Sequence, residues 1–191
     1  MDIIILKGKQ QDIFDAAKTL FWKYGIKKVS IEEICREANV SKMTFYKFFP
    51  NKIELARTVW LVLTEGWMQT YDNIVHDDNI LFQEKIMALF KLKHDSAKGV
   101  SMEFVQDLYK DIDLQGIVIE YQQRSISLFK EFFMDSQEKG LIRKDIKIEF
   151  VMFQINMMSS IMDDKELLSV YDNVEELAIE SMNFLFYGLL P

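Results

Sequence analysis

Proline and glycine, the two residues that most often interrupt regular backbone, are scarce in this chain: 2 Pro and 7 Gly in 191 residues. The long stretches between them call for helices. The apolar residues in these stretches recur at helical spacing, and no segment of any length alternates as a strand would. The fold class expected is therefore all-α, with about nine helices. Lys7 to Tyr24 gives helix one, with Ile13, Phe14, Ala17, Leu20, Phe21 and Tyr24 on one face and Gly25 as its C′ residue. Ser30 and Glu33 form a capping box for a short helix two, which Asn39 ends, because Asn tolerates the left-handed region. Ser41 caps helix three, Lys42 to about Phe48, so a three-residue turn joins helices two and three, the spacing of a helix-turn-helix.

Beyond Pro50, the Asn51–Glu54 start opens a long helix four to about Asn73, with Ile53, Ala56, Trp60, Leu63 and Trp67 on one stripe. Helix five is expected from Leu81 to Ala97, helix six from Ser101, and helix seven from about Asp113 to Lys139. Helix eight should run from Lys147 to Met162 and helix nine from Val174 to Leu190. The last two are apolar on two sides. On helix eight, Ile148, Met152, Ile155, Ser159 and Met162 form one stripe, and Phe150, Phe153, Met157 and Ile161 the other. On helix nine, Val174, Leu177, Ala178, Ser181, Leu185 and Leu189 face one way and Ile179, Met182, Phe186 and Leu190 another. A helix apolar on two sides is buried on two sides. One side then meets the chain's own core and the other a second subunit, unless both helices are central in a monomer core.

Charge separates the chain. Residues 1–60 carry 11 Lys+Arg against 7 Asp+Glu, a net +4, and residues 61–191 carry 12 against 23, a net −11, which together make the overall −7. A basic module on an acidic body points to nucleic acid despite the acidic total. Ala38 to Ile53 holds no acid in sixteen residues, with Lys42, Lys47 and Lys52 every five. Standing alone, such a run is as well read as a solvated face. The single cysteine, Cys35, excludes a disulfide framework and reads as a small buried apolar residue rather than a redox sensor. Two histidines, His76 and His94, leave little for a metal site, even with Asp77, and no cofactor or catalytic constellation is called for. No apolar run reaches the ~18 residues of a membrane span, and the Met1–Leu6 start does not read as a signal peptide, so a cytoplasmic location without membrane contact is expected.

The stretch from Ile13-Phe14 through Tyr24-Gly25, Ser30-Ile31-Glu32-Glu33-Ile34 and Val40-Ser41-Lys42-Met43-Thr44-Phe45-Tyr46-Lys47-Phe48-Phe49-Pro50-Asn51-Lys52 closely resembles the N-terminal module of TetR/AcrR-family transcriptional regulators. The remainder resembles that family in helix count, length and the Tyr187-Gly188-Leu189-Leu190 ending. The resemblance implies a helix-turn-helix DNA-binding domain over residues 1–50 and a helical ligand-binding and dimerisation domain over 51–191. It also implies a homodimer through helices eight and nine, with Phe150, Phe153, Met157, Ile161, Met182 and Phe186 at the interface, on a double-stranded DNA operator under the control of an unknown small effector. Asn39 replaces the family's usual turn glycine, and Cys35 its usual small alanine. Glu32 stands where many relatives are basic or neutral; it could accept from cytosine N4 or point away.

In a helix-turn-helix the second helix enters the major groove by its N-terminus. Lys42, Met43 and Thr44 are thus the expected base readers, with Ser41 capping their helix. Tyr46, Lys47 and Lys52 would contact phosphates, and Ser30 would point helix-two amides at the backbone. Phe45, Phe48 and Phe49 resemble a base-stacking set, but their spacing fits the core of the module better. In the body, Trp60, Trp67, Met87, Phe90, Phe104, Tyr121 and Met157 are candidate lining for an apolar ligand, each also readable as plain core. Arg124 and Asn156 are candidate polar anchors; solvent exposure and an interface hydrogen bond are their respective alternatives. The competing function classes are a regulator controlled by a protein partner and a protein-only interaction module. An enzyme lacks its parts here: no Gly-rich phosphate loop, no Cys–His pair and no metal-spaced cluster.

Overall fold

In a computed structural model the chain is described over residues 6–97, 100–161, 166, 169–171 and 174–189. Among these residues there are nine helices and no strand. They are α1 (Lys9–Tyr24), α2 (Ile31–Glu37), α3 (Lys42–Phe48), α4 (Lys52–His76), α5 (Phe82–Ala97), α6 (Met102–Lys110), α7 (Gln115–Glu138), α8 (Ile148–Ile161) and α9 (Val174–Leu189). Their limits follow the capping chemistry. Gly8 at φ 56° sets off α1, and Gly25 at φ 82° closes it, its N–H donating to the Phe21 carbonyl. Helix α4 continues past Asn73 to His76, because the first turn residue is Asp77, whose carboxylate accepts from the Asn79 N–H at 2.9 Å.

The chain divides into two compact units, Met1–His76 with Lys91–Ser125, and Asp77–Phe90 with Ile126–Pro191. The first unit is built on one core. Ile13, Ala17 and Phe21 of α1 meet Ile34 and Cys35 of α2, Phe45 of α3 and Leu55, Ala56 and Val59 of α4, all at most 5% exposed. Phe104 and Leu108 of α6, with Leu114 and Val118, complete it. Helix α4 turns a slightly different face inward from the stripe expected: Leu55, Ala56, Val59, Thr64 and Met68 are buried, while Ile53, Trp60, Leu63 and Trp67 are half-buried beside them. Thr64 is accommodated because its hydroxyl donates to the Trp60 carbonyl one turn back.

The second unit buries Phe82, Ile86, Phe132, Phe133, Ser136, Ile142, Val151 and Leu177. Phe82 and Phe132 stack at 6.0 Å, and the buried Ser136 hydroxyl donates to the Phe132 carbonyl. No helix among the described residues is long and apolar enough to cross a membrane.

Candidate nucleic-acid interface

Local chemistry builds the α2–turn–α3 element. Ser30 adopts extended backbone, and its hydroxyl accepts from the Glu33 N–H while the Glu33 carboxylate accepts from the Ser30 N–H at 2.8 Å. These hydrogen bonds hold the Glu33 carboxyl below the ordinary glutamate range, the bond from the Ser30 amide contributing most. Asn39, at φ 50°, is the one described non-glycine residue in the left-handed region, and it turns the chain so that the Val40 N–H reaches the Cys35 carbonyl at 2.9 Å. Ser41 then caps α3, accepting from the Thr44 N–H at 3.1 Å. Phe45 and Phe49 point into the core and Phe48 packs against it, so these aromatics fix the helix and are not a stacking platform.

With the apolar side committed inward, α3 shows the opposite side to solvent. Lys42, Met43, Tyr46 and Lys47 are exposed, Met43 at 83% and Tyr46 at 53%, on one face by their spacing. The structure therefore brings four of the eight expected DNA-contacting residues onto one outward surface. Ser30 and Ser41 are engaged as caps, and Thr44 is engaged with Ser41, which caps its N–H and lies 2.9 Å from its hydroxyl. Lys52 has a different engagement from a free phosphate donor. Its ammonium donates to the carbonyls of Val29 at 2.6 Å and Lys27 at 3.3 Å, tying the start of α4 to the α1–α2 connection. Burial there pushes the Lys52 ammonium below its usual range.

Two further features join the surface. The Lys42 ammonium is paired with the carboxylate of Glu32, from the first turn of α2. The hydrogen bond between them, more than any other cause, lowers the carboxyl's titration and raises the ammonium's. The second feature is the attachment of the module to α6. Glu103 and Asp107 of α6 grip the α1–α2 connection: Asp107 accepts from the Lys27 N–H at 2.8 Å, and Glu103 pairs with Lys28 at 3.2 Å. Gly25 lies so close that an added Cβ would meet Asp107 Oδ2 and Glu103 Cβ, both at 2.9 Å. The Ser101 N–H donates to the Trp22 carbonyl at 2.8 Å, and the Trp22 and Phe104 rings lie 5.0 Å apart. Phe104, a candidate ligand residue by sequence, is a core residue at 1% exposure. No local sequence signal marks this grip, since its partners are 75 and 80 residues apart.

Of the other body candidates, Trp60, Trp67 and Tyr121 come together, with ring centroids 5.6 to 6.3 Å apart. The Trp60 indole N–H is buried without a hydrogen-bond acceptor, and burial raises the Tyr121 hydroxyl. Beside them the Arg124 guanidinium donates to Glu65 at 2.6 Å. Met87 and Met157 are exposed, at 40% and 46%, and Phe90 is half-buried. Phe150 and Phe153 are more than half exposed on α8. On α9 the exposed aromatics are Phe184 and Tyr187, which the helical pattern did not single out. The side chains of Asn156, Ile161, Met182 and Phe186 lie outside the described residues, as do Met162 and Leu190. Among the described residues no group of three or more His, Cys, Asp or Glu is placed to hold a metal ion, and Cys35 is a buried free thiol.

Residues 13–59 match the family model of bacterial regulatory proteins, tetR family. The HTH-type transcriptional regulator YuxN of Bacillus subtilis (strain 168), itself uncharacterized, is 24% identical over 97% of this chain. The chain spans 59% of the length of that curated relative. Among solved structures, the regulatory protein TetR from Rhodobacter sphaeroides superposes with a TM-score of 0.73 at 13% identity, over 94% of this chain and 98% of that one. The ketosteroid transcriptional regulator KstR2 of Mycobacterium tuberculosis superposes with a TM-score of 0.68 at 15% identity, over 98% and 97%.

Proposed function

Because this chain belongs to the TetR family of DNA-binding transcriptional regulators, we propose that it acts in the cytoplasm as a homodimeric repressor of a near-palindromic operator. Its family relatives are regulators and not enzymes, and they typically form homodimers. The functional division follows: residues 1–50 bind DNA, and 51–191 dimerise and hold an effector. The observation that carries the reading is the outward face of α3, where Lys42, Met43, Tyr46 and Lys47 are exposed on a helix whose caps and aromatic core fix its direction. Lys42 and Met43 stand at the end that enters the major groove, and Tyr46 and Lys47 flank it toward phosphate. Lys52 contributes by holding the α1–α2 connection, with its remaining proton available to the backbone of the duplex. Exposed Phe150, Phe153 and Met157 on α8, with Phe184 and Tyr187 on α9, support pairing of two chains through these helices.

The effector is a small, largely apolar molecule. The Trp60–Trp67–Tyr121 group supports this reading: it offers aromatic surface and one indole donor in want of an acceptor. Lys52 and Trp60 lie on one continuous helix, α4, which makes α4 the lever between effector and DNA. The ligand needs only unequal affinity for the two dimer states that differ in module spacing. A second reading, control by a protein partner, is favoured by the outer face of α6, where Met102, Val105 and Tyr109 recur at helical spacing and are 36 to 65% exposed.

The test is selection of duplexes from a random pool by the purified protein, followed by binding of the winner across salt concentrations. An enriched inverted repeat whose affinity falls steeply with salt is the expected result. Lys42→Ala should weaken that complex. Selection without enrichment, or binding indifferent to salt, would return the module to a protein-interaction role.

A further inference from the structure

The face of α3 is not a simple cationic surface, because the lysine at its reading end is not alone. Lys42 is ion-paired with Glu32, and both side chains are more than half exposed, so the pair stands in solvent at the reading end of the module and not inside its core. No structural requirement explains it: α2 is already capped by Ser30 and Glu33, and α3 by Ser41. An acid here also works against non-specific binding, since it meets the phosphates' own charge. A carboxylate brought into the major groove must find a donor, and cytosine N4 is the one that best suits it; an ammonium seeks guanine O6 and N7. On a single G·C pair these groups lie side by side along one edge, as the two ends of the ion pair do.

We propose that Glu32 is a specificity-determining residue: Glu32 and Lys42 act as one acceptor–donor unit that reads a G·C base pair at one position in each half-site, and the carboxylate withholds Lys42 from phosphates elsewhere. This rests on the DNA-binding reading above. Each partner favours the other's ionised form, chiefly through the hydrogen bond between them.

The experiment is parallel duplex selection with wild type, Glu32→Gln and Lys42→Ala, followed by affinity measurements on the enriched duplex, on single-base variants of it and on an unrelated duplex. Thermal unfolding is recorded for each protein. Glu32→Gln should leave thermal unfolding nearly unmoved, because the position is exposed. It should lower discrimination at one G·C position per half-site by about tenfold. It should also raise affinity for the unrelated duplex several-fold with a steeper salt dependence, as the released Lys42 finds phosphate. Lys42→Ala should lose preference at the same position. An unchanged base preference with Glu32→Gln overturns the proposal, including the case where affinity for the unrelated duplex still rises, since the carboxylate would then only repel phosphate. Loss of preference at every position together with lowered thermal stability also overturns it, since that describes a structural residue. If wild type itself enriches no sequence, the DNA-binding reading falls and takes this one with it.

Discussion

Helices α3 and α8 are both rich in phenylalanine, and they use it in opposite ways. On α3 and its C-cap, Phe45 and Phe49 are 0% and 3% exposed, and what faces outward is Lys42, Met43, Tyr46 and Lys47. On α8, Phe150 and Phe153 are 51% and 58% exposed, and on α9 Phe184 and Tyr187 reach 86% and 73%. The N-terminal module has closed its own core and offers polar chemistry to a partner. Helices α8 and α9 leave these rings exposed within one chain, and on the proposed reading a second chain covers them. The same residue type therefore marks a finished interior in one region and an unfinished one in the other.

Truncating one phenylalanine in each region separates a closed core from an open face. Phe45→Ala should cost about 3–5 kcal/mol in denaturant unfolding and abolish duplex binding, because it empties a closed core. Phe153→Ala should cost the single chain under about 0.5 kcal/mol, measured at high dilution, yet weaken self-association in sedimentation. Equal losses of chain stability from the two would erase the distinction. Next in size is Gly25→Ala. It places a side chain at φ 82° against the Glu103 backbone carbon at 3.2 Å, which cannot yield as a flexible side chain would. A loss of about 1–3 kcal/mol in thermal unfolding is expected, and a neutral result would show that α6 does not grip the α1–α2 connection. Ser30→Ala should cost about 1 kcal/mol through the lost cap.

The smallest effect is a pH dependence. The Glu33 carboxyl is held below its ordinary value, so its stabilising contribution is present above the unfolded pKa of about 4.3 and is lost as pH falls through the lower folded value. The stability gap between wild type and Glu33→Ala should narrow on acidification from pH 7 toward pH 3. A gap that stays constant would mean the capping box contributes no charge-dependent stability.

What could be read from the sequence is what neighbouring residues settle among themselves. The Ser30–Glu33 box, the left-handed Asn39, the Ser41 cap and the inward Phe45 and Phe49 all depend on partners a few positions away, and the structure has each of them. The helix order followed from spacing and punctuation for the same reason. What escaped depends on distant partners. Lys52 has the composition of a phosphate donor, but its ammonium meets the Val29 carbonyl 23 positions earlier. Phe104 has the size of a pocket residue and packs on Trp22. Which side of α4 lies deepest was not fixed by its own apolar pattern: Leu55 and Val59 are buried, while Trp60 and Trp67 pack against Tyr121, 61 and 54 positions later in the chain.

The most direct test of the account is the mass of the protein–DNA complex, read by native mass spectrometry. Wild type and a Phe150→Glu/Phe153→Glu variant would each be offered the selected full-site duplex and a half-site duplex. Two wild-type chains are expected on the full site, bound far more tightly than one chain on the half-site. The variant should keep its helical content, bind half-sites as wild type does and lose the tight two-chain complex. A single wild-type chain saturating the full site, or a variant that forms the two-chain complex undiminished, would contradict it.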